Sequence, residues 1–269
     1  MPFCEDKFLS FLNDYGYNVV RLPRENITPM KVIGRHKDEL GILGSLSDLV
    51  SEGPEVPSVT KDQHAGQISG EQSSVYDFKV GVTVLKRLLS FIGAGGIELE
   101  AAYKGAQKLR FSFDDVFVDS IDPIPLGRYL GASVPDISNP LIDQLDDKGE
   151  AYIIFETLKS KSFAVTAHDE NGASVAVDVS AIKKALDVEA KVAVASASER
   201  KVSYSGDRLL TFGFKAFPVW IEFYDGHGFF SMAPASRGIG GLSIPTQLAN
   251  PAEPTPVLLA RNTLLKLSE

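Results

Sequence analysis

AYIIFETLKSKSFAVTAHDENGASVAVDVSAIKKALDVEAKVAVASASERKVSYSG, residues 151–206, decides the fold class. Its first eight residues read as a strand. Ser162 to Ser180 then alternates apolar and polar on both sides of Asn171-Gly172, the strongest short-range signal for a hairpin. Residues 180–190 space Ile182, Ala185 and Leu186 onto one face of a short helix. Residues 191–205 alternate again, with small side chains between the valines. Strand, hairpin, short helix and strand in succession point to antiparallel pairing with helices set around it.

Moving outward, the same grammar continues. Arg208 to Tyr224 (RLLTFGFKAFPVWIEFY) reads as an aromatic-rich strand pair. Leu109, Phe111, Phe113, Val116 and Val118 alternate with polar residues, and Ile97 to Tyr103 alternates as well. Tyr76 to Gly96 carries a helical stripe at Val84, Leu88, Phe91 and Ile92, stopped by Gly93 to Gly96. Lys37 to Val50 has helix-like leucine spacing weakened by Gly41 and Gly44. Tyr17 to Leu22 reads as a strand closed by Pro23, and Phe3 to Leu12 as a short strand or one helical turn. Pro123, Pro125, Pro135 and Pro140 punctuate two short helices, the second over Asn139 to Asp147. Ser51 to Ser74 loses all apolar period and reads as a mobile loop. The expected fold is α+β: a twisted, mainly antiparallel central sheet with short helices around it.

Composition narrows the function. The chain has 269 residues, 44% apolar and 23% charged, with 27 Lys plus Arg against 35 Asp plus Glu and a formal charge of −8. That is enough chain for a proper core. The acid excess disfavours a nucleic-acid binder that works by phosphate neutralisation. One cysteine, Cys4, allows no internal disulfide and fits a reducing compartment. No apolar run reaches the roughly 18–20 residues of a membrane helix, and Cys4, Glu5, Asp6 and Lys7 stand where a signal peptide would turn apolar.

Catalytic and metal patterns are missing. His36, His64, His168 and His227 form no pair at helical spacing, so no metal is expected. There is no Gly-x-Ser-x-Gly elbow. Gly93, Gly95 and Gly96 follow a helix where a phosphate cradle would precede one. Asp114-Asp115 and Asp146-Asp147 read as solvated charge. The chain is expected not to be an enzyme and to need no cofactor.

The C-terminal end differs in kind. Ala233 to Pro256 is crowded with Gly and Pro and reads as a flexible linker. Beyond it, Val257, Leu258, Leu264 and Leu265 lie seven apart in pairs, which predicts an amphipathic helix over 257–269. A face of that kind on a tether must be buried against something, and its own domain is nearest. One further class stays open: a β-strand crosses a bilayer with only about 9–11 residues if it joins a closed barrel. Phe163–His168, Ala173–Val179 and Val192–Ser198 alternate suitably, with charges gathered at their ends.

The opening MPFC, the stretch YGYNVVRLPRENITPMKVIGR from Tyr15 to Arg35, the strand-rich middle and the tethered tail together resemble a bacterial gasdermin. The resemblance spans essentially the whole chain, and Asn18 to Arg24 is its most specific part. It implies an autoinhibited pore-former of anti-phage cell death, built as a pore-forming domain (1–232), a cleavable linker (233–256) and an inhibitory tail (257–269). It implies a palmitoyl group on Cys4 as the one covalent addition, stored in a cavity lined by residues such as Phe3 and Phe8.

A companion caspase-like or related protease would cut the linker. The exposed window runs from Ala233 to Leu248, with Arg237-Gly238 and Leu242 as plausible points. The freed part would pass from cytoplasm to inner membrane and meet lipid. It would assemble with copies of itself, from a resting monomer, into a large β-barrel. Each subunit would give two hairpins whose outer limits are Tyr76 to Asp119 and Ser162 to Ser205, with the helices between refolding as strands. A cut after Arg237 removes two basic and two acidic residues, so the body keeps −8. Apolar surface, helped by Lys86-Arg87 and a Cys4 anchor, would then have to drive insertion. The alternative reading is a soluble α+β protein that binds a small apolar ligand or an uncharacterised enzyme.

Overall fold

The structure is a computed structural model. It describes residues 12–36, 39–65, 73–91, 99–142, 151–185, 193–198, 200–225, 227–232, 256–259 and 265–268. In chain order the strands are β1 (Asn18–Arg24), β2 (Lys31–His36), β3 (Glu39–Ser45), β4 (Val50–Glu52), β5 (Thr60–His64), β6 (Ser73–Asp77), β7 (Lys108–Asp114) and β8 (Phe117–Ser120). They continue with β9 (Val134–Pro135), β10 (Ala151–His168), β11 (Ser174–Val175), β12 (Ala193–Ser198), β13 (Lys201–Tyr224), β14 (His227–Ser231) and β15 (Leu267–Ser268). The helices are α1 (Phe78–Phe91), α2 (Pro123–Ala132) and α3 (Val179–Ala185). Among the described residues all strand pairs are antiparallel except those made by the tail.

Two long strands form the spine. β10 has 18 residues and β13 has 24, so they would reach about 60 and 80 Å if straight. β10 bonds to β13 along one side. Along its other side it bonds in turn to β2, β8 and β7. A long strand can serve several short neighbours because its side chains keep a buried period of two: Ala151, Ile153 and Phe155 at one end, Phe163, Val165 and Ala167 at the other.

The spine is faulted. Ser160 pairs with Leu210 but Ser162 pairs with Ser205, so residues 206–209 of β13 stand opposite Lys161 alone. Asp115, between β7 and β8, has a φ of 48°. These irregularities lie at one level of the sheet, a bulge line that lets it twist. Above it, α1 packs on β1, β6 and β7, and buries Val82, Leu85, Leu88 and Leu89. Below it, α2 covers the opposite end with Leu126, Tyr129 and Leu130. α2 starts where Pro123 follows Asp122, whose carboxylate accepts from Ile124 N–H at 3.0 Å.

Several sequence expectations need correction. Arg208–Tyr224 is part of one continuous strand, whose Phe212, Phe214 and Phe217 each enter a different hydrophobic cluster. Leu40 to Leu49 is a strand and a 3-10 turn (Leu46–Leu49), since β2 offers a free edge beside it. Residues 99–105 are turns and carry no strand. The expected loop at 51–74 contains β5, bonded to β8. Pro23 lies within β1, at a break in its pairing with β13. Asn171-Gly172 does sit in a hairpin: Gly172 takes a φ of 82°, and the Asp169 carboxylate accepts from Asn171 and Ala173 N–H. That hairpin pairs only two residues before α3 begins.

Candidate functional site

The tail is not a helix where it is described. Residues 256–259 are irregular, Leu265 forms a parallel bridge with Val20, and β15 runs parallel to β3. In the described residues 256–259 and 265–268 the expected inhibitory helix over 257–269 is therefore replaced by non-helical backbone, irregular in the first stretch and paired as strand in the second. The physical reason is the partner on offer. Open strand edges satisfy tail N–H and C=O groups directly, and a helix packed there would leave those edges bare.

The sheet path runs β1-β13-β10-β2-β3 before β15. β1 and β3 would thus be its two open margins. The tail bonds to both, so the path closes into a ring through residues 265–268. Leu265 N–H donates to Val19 O at 2.8 Å, and Arg21 N–H donates to Leu265 O at 2.8 Å. Leu267 stands opposite Leu40 in β3. Inside the ring Leu265 and Leu267, 6% and 5% exposed, pack with Val20, Ile33, Ile154 and Phe214. Lys266 between them is exposed. A period of two replaces the expected helical period.

Two polar side chains reach the tail from β1. The Asn18 carboxamide donates from Nδ2 to Val257 O at 2.9 Å and accepts at Oδ1 from Leu259 N–H at 2.6 Å. The Arg24 guanidinium donates to Leu267 O at 2.8 Å. Val257 N–H donates to Ala216 O at 3.0 Å, fixing the same stretch on β13. Nearby, Lys215 lies 3.0 Å from Glu156 and 4.3 Å from the Tyr17 ring centroid, and Tyr17 donates to Glu156. Burial and the Glu156 carboxylate push the Tyr17 phenol far above its ordinary value.

A second polar cluster marks the bulge line. Lys159 reaches Asp119 at 2.6 Å and Asp62 at 2.8 Å, and Asp119 accepts from Asp62 N–H. It clamps β5 to β8 and β10. Burial opposes the Lys159 charge, but bonds to Asp119 and Asp62 outweigh it and raise its pKa. The Lys159 contact holds the Asp62 carboxyl below its usual range.

The sequence-predicted site residues distribute as follows. Tyr76 is buried in β6, Asp119 lies in the clamp, and Ser162 and Ser205 are paired partners in β10 and β13. Val257 and Leu258 are half-buried, and Leu265 is in the ring core. Cys4, Phe3, Phe8, Arg237, Gly238, Leu242, Leu248 and Leu264 lie outside the described residues, as does the linker up to residue 255. Lys86 bonds to Glu100 at 2.7 Å. Sequence reading passed over Leu259, Leu267, Asn18 as a ligand of the tail, and Arg24. Leu265-Lys266-Leu267 alternation was the available signal. Among the described residues no group of His, Cys, Asp or Glu could hold a metal, and no helix is long and apolar enough to cross a membrane.

The comparisons with known proteins agree with this architecture. A family model described as the Bacterial Gasdermin Family matches residues 20–229. Gasdermin bGSDM of Vitiosangium sp. is 37% identical over 82% of this chain and 84% of its own length. The Lysobacter enzymogenes gasdermin is 31% identical, over 82% and 83%. The solved structure of a bacterial gasdermin from Bradyrhizobium tropiciagri has the same fold, with a TM-score of 0.58, 18% identity, and coverage of 84% of this chain and 90% of that one. The chain belongs to the bacterial gasdermin family, a family of pore-forming proteins and not of enzymes.

Proposed function

We propose that this chain is the autoinhibited precursor of a membrane pore and that its C-terminal tail is the inhibitor. The observation that carries the reading is the tail's place between β1 and β3, where it occupies both margins of the ring. Such margins are templates for pairing with other chains, so covering them keeps the protein from assembling.

The energetics suit a release mechanism. Burying Leu265 and Leu267 contributes about 2 kcal/mol each, and the six hydrogen bonds described above about 1 kcal/mol each. Ordering the eight described tail residues costs about 1–2 kcal/mol apiece. The two sides come out nearly equal. A tail so held stays in place while tethered, at an effective concentration of order millimolar, and leaves by dilution after one cut.

In this reading a caspase-like or related protease cuts between residues 233 and 248. The body then meets lipid of the inner membrane and assembles with copies of itself into a large β-barrel, which kills the infected cell. Residues 76–119 and 162–205 supply the two membrane hairpins. Strands that lie in or enter these segments, β6, β7, β10 and β13, stand side by side, each bonded to the next, which supports the reading.

Liposome leakage tests the core of the proposal. With a specific protease site placed in 233–248, nicked protein should release dye and intact protein should not. Nicked protein that leaks from no lipid composition, neutral or anionic, ends the pore reading. Palmitoylation of Cys4 is a separate part. Intact mass from the native host should carry an acyl addition that Cys4→Ala lacks, and unmodified protein there would remove the lipid anchor from the account.

A further inference from the structure

The tail slot reads the peptide backbone more than the side chains. The rigid Asn18 amide, whose Nδ2 also donates to Phe214 O of β13 at 3.5 Å, donates to Val257 O and accepts from Leu259 N–H, tail main-chain atoms two residues apart. This is the pair of bonds that a neighbouring strand would make, supplied by a side chain. Arg24 likewise donates to a main-chain oxygen, Leu267 O. Leu265 exchanges two further main-chain bonds with β1. Over 265–267 the side chains alternate, with Leu265 and Leu267 buried and Lys266 exposed, and Leu259 packs on the edge of the same core.

From this we infer that the gap between β1 and β3 is a peptide-binding site for an extended strand of apolar-x-apolar pattern, gripped by Asn18 and Arg24. It accepts the tail of another copy in trans as well as its own. Strand addition of this kind takes affinity from main-chain bonds and selectivity from alternate pockets. Asn18 and Arg24 are positioning residues: they fix the register in which Leu265 and Leu267 enter the ring. A released tail is then a diffusible inhibitor, and the fraction of free bodies depends on total protein concentration.

The biological meaning rests on the tail being the inhibitor, but the test reads tail retention without any membrane. Full-length protein with a protease site in 233–248 is nicked on an affinity support, and the tail remaining is measured by mass spectrometry over time. A synthetic, isotopically heavy peptide of residues 256–269 is the exchange probe. Asn18→Ala should lose its tail at least tenfold faster than wild type. Asn18→Asp keeps an acceptor for Leu259 N–H but sets a carboxylate oxygen against Val257 O in place of the donor, so it should lose its tail at least as fast as Asn18→Ala.

The heavy peptide should exchange into nicked wild type. It should still do so with Leu258→Ser, and should fail with Leu265→Ser plus Leu267→Ser. Tail loss at the wild-type rate in Asn18→Ala overturns the grip. Equal failure of the Leu258→Ser peptide overturns backbone reading, and no exchange of the unaltered peptide overturns binding in trans. If Asn18→Ala does not fold, Arg24→Gln decides by the same rates. Leakage failing while tail retention responds as stated would sink the pore reading and leave the grip standing.

Discussion

Lys159 of β10 ties its own strand to two others, through Asp119 of β8 and Asp62 of β5. Its side chain is 11% exposed and answers two carboxylates, one of them the 9% exposed Asp119. Lys159→Met leaves Asp119 without its cation. A fully buried pair broken this way costs about 3–5 kcal/mol; Asp62 lies open to water, so about 2 kcal/mol is expected here. Urea unfolding of the full chain at pH 7 measures it, and an unchanged midpoint would remove the clamp from the stability account.

The pH dependence has a definite sign. Asp62 is lowered, so its contribution is present above the ordinary carboxylate value of about 4 and is lost as pH falls through its lowered value. Lys159 is raised, so its contribution is present below the ordinary value of about 10.5 and is lost as pH rises through the raised one. The gap between wild type and Lys159→Met should hold from pH 6 to 9 and close at acid pH.

At the scale of elements, α1 packs on β7 with no room to spare at Gly81. A Cβ on Gly81 would lie 2.9 Å from Leu109 Cβ, so glycine sets how near α1 can approach β7. Gly81→Ala gains about 1 kcal/mol of helix propensity but overpacks a rigid contact at a cost of about 1–3 kcal/mol. The net expectation is a lower urea midpoint with faster amide exchange confined to α1. A raised midpoint would mean that the α1–β7 contact yields without cost.

The elements also differ in how far sequence revealed them. α1 was legible because Val84, Leu88 and Phe91 repeat at helical spacing and no competing partner lies along the chain. β3 was not. Leu40 and Leu43 within it, and Leu46 and Leu49 in the 3-10 turn after it, have helical spacing, but a strand edge from β2 is the neighbour that folding supplies. The tail failed in the same way. Val257, Leu258, Leu264 and Leu265 suit a helix in isolation, but the two open margins take Leu265, Leu267 and Ser268 as strand partners.

For the whole molecule, charge separates two routes to a membrane. Cutting after Arg237 leaves the body at −8, so release of the tail adds no positive field. Under the proposed mechanism, insertion comes from uncovered apolar surface. Leakage of anionic liposomes by nicked protein should then change less than about twofold between 50 and 500 mM salt, although the Debye length falls from about 14 to 4 Å. A collapse of leakage at high salt would assign the attraction to local basic groups such as Lys86-Arg87.

The sequence by itself determined the fold class, through period-two alternation over 109–118 and 151–205. It also marked Asn18 to Arg24 as the most specific stretch of its family resemblance. Both are local facts, since alternation and residue identity need no partner to be read. What only the tertiary structure decided is where the tail goes and in what form. Hydrogen bonds between tail, β1 and β3 join residues more than two hundred positions apart. An open edge exists only after β13, β10 and β2 have paired, so nothing in 257–269 alone could select a strand over a helix.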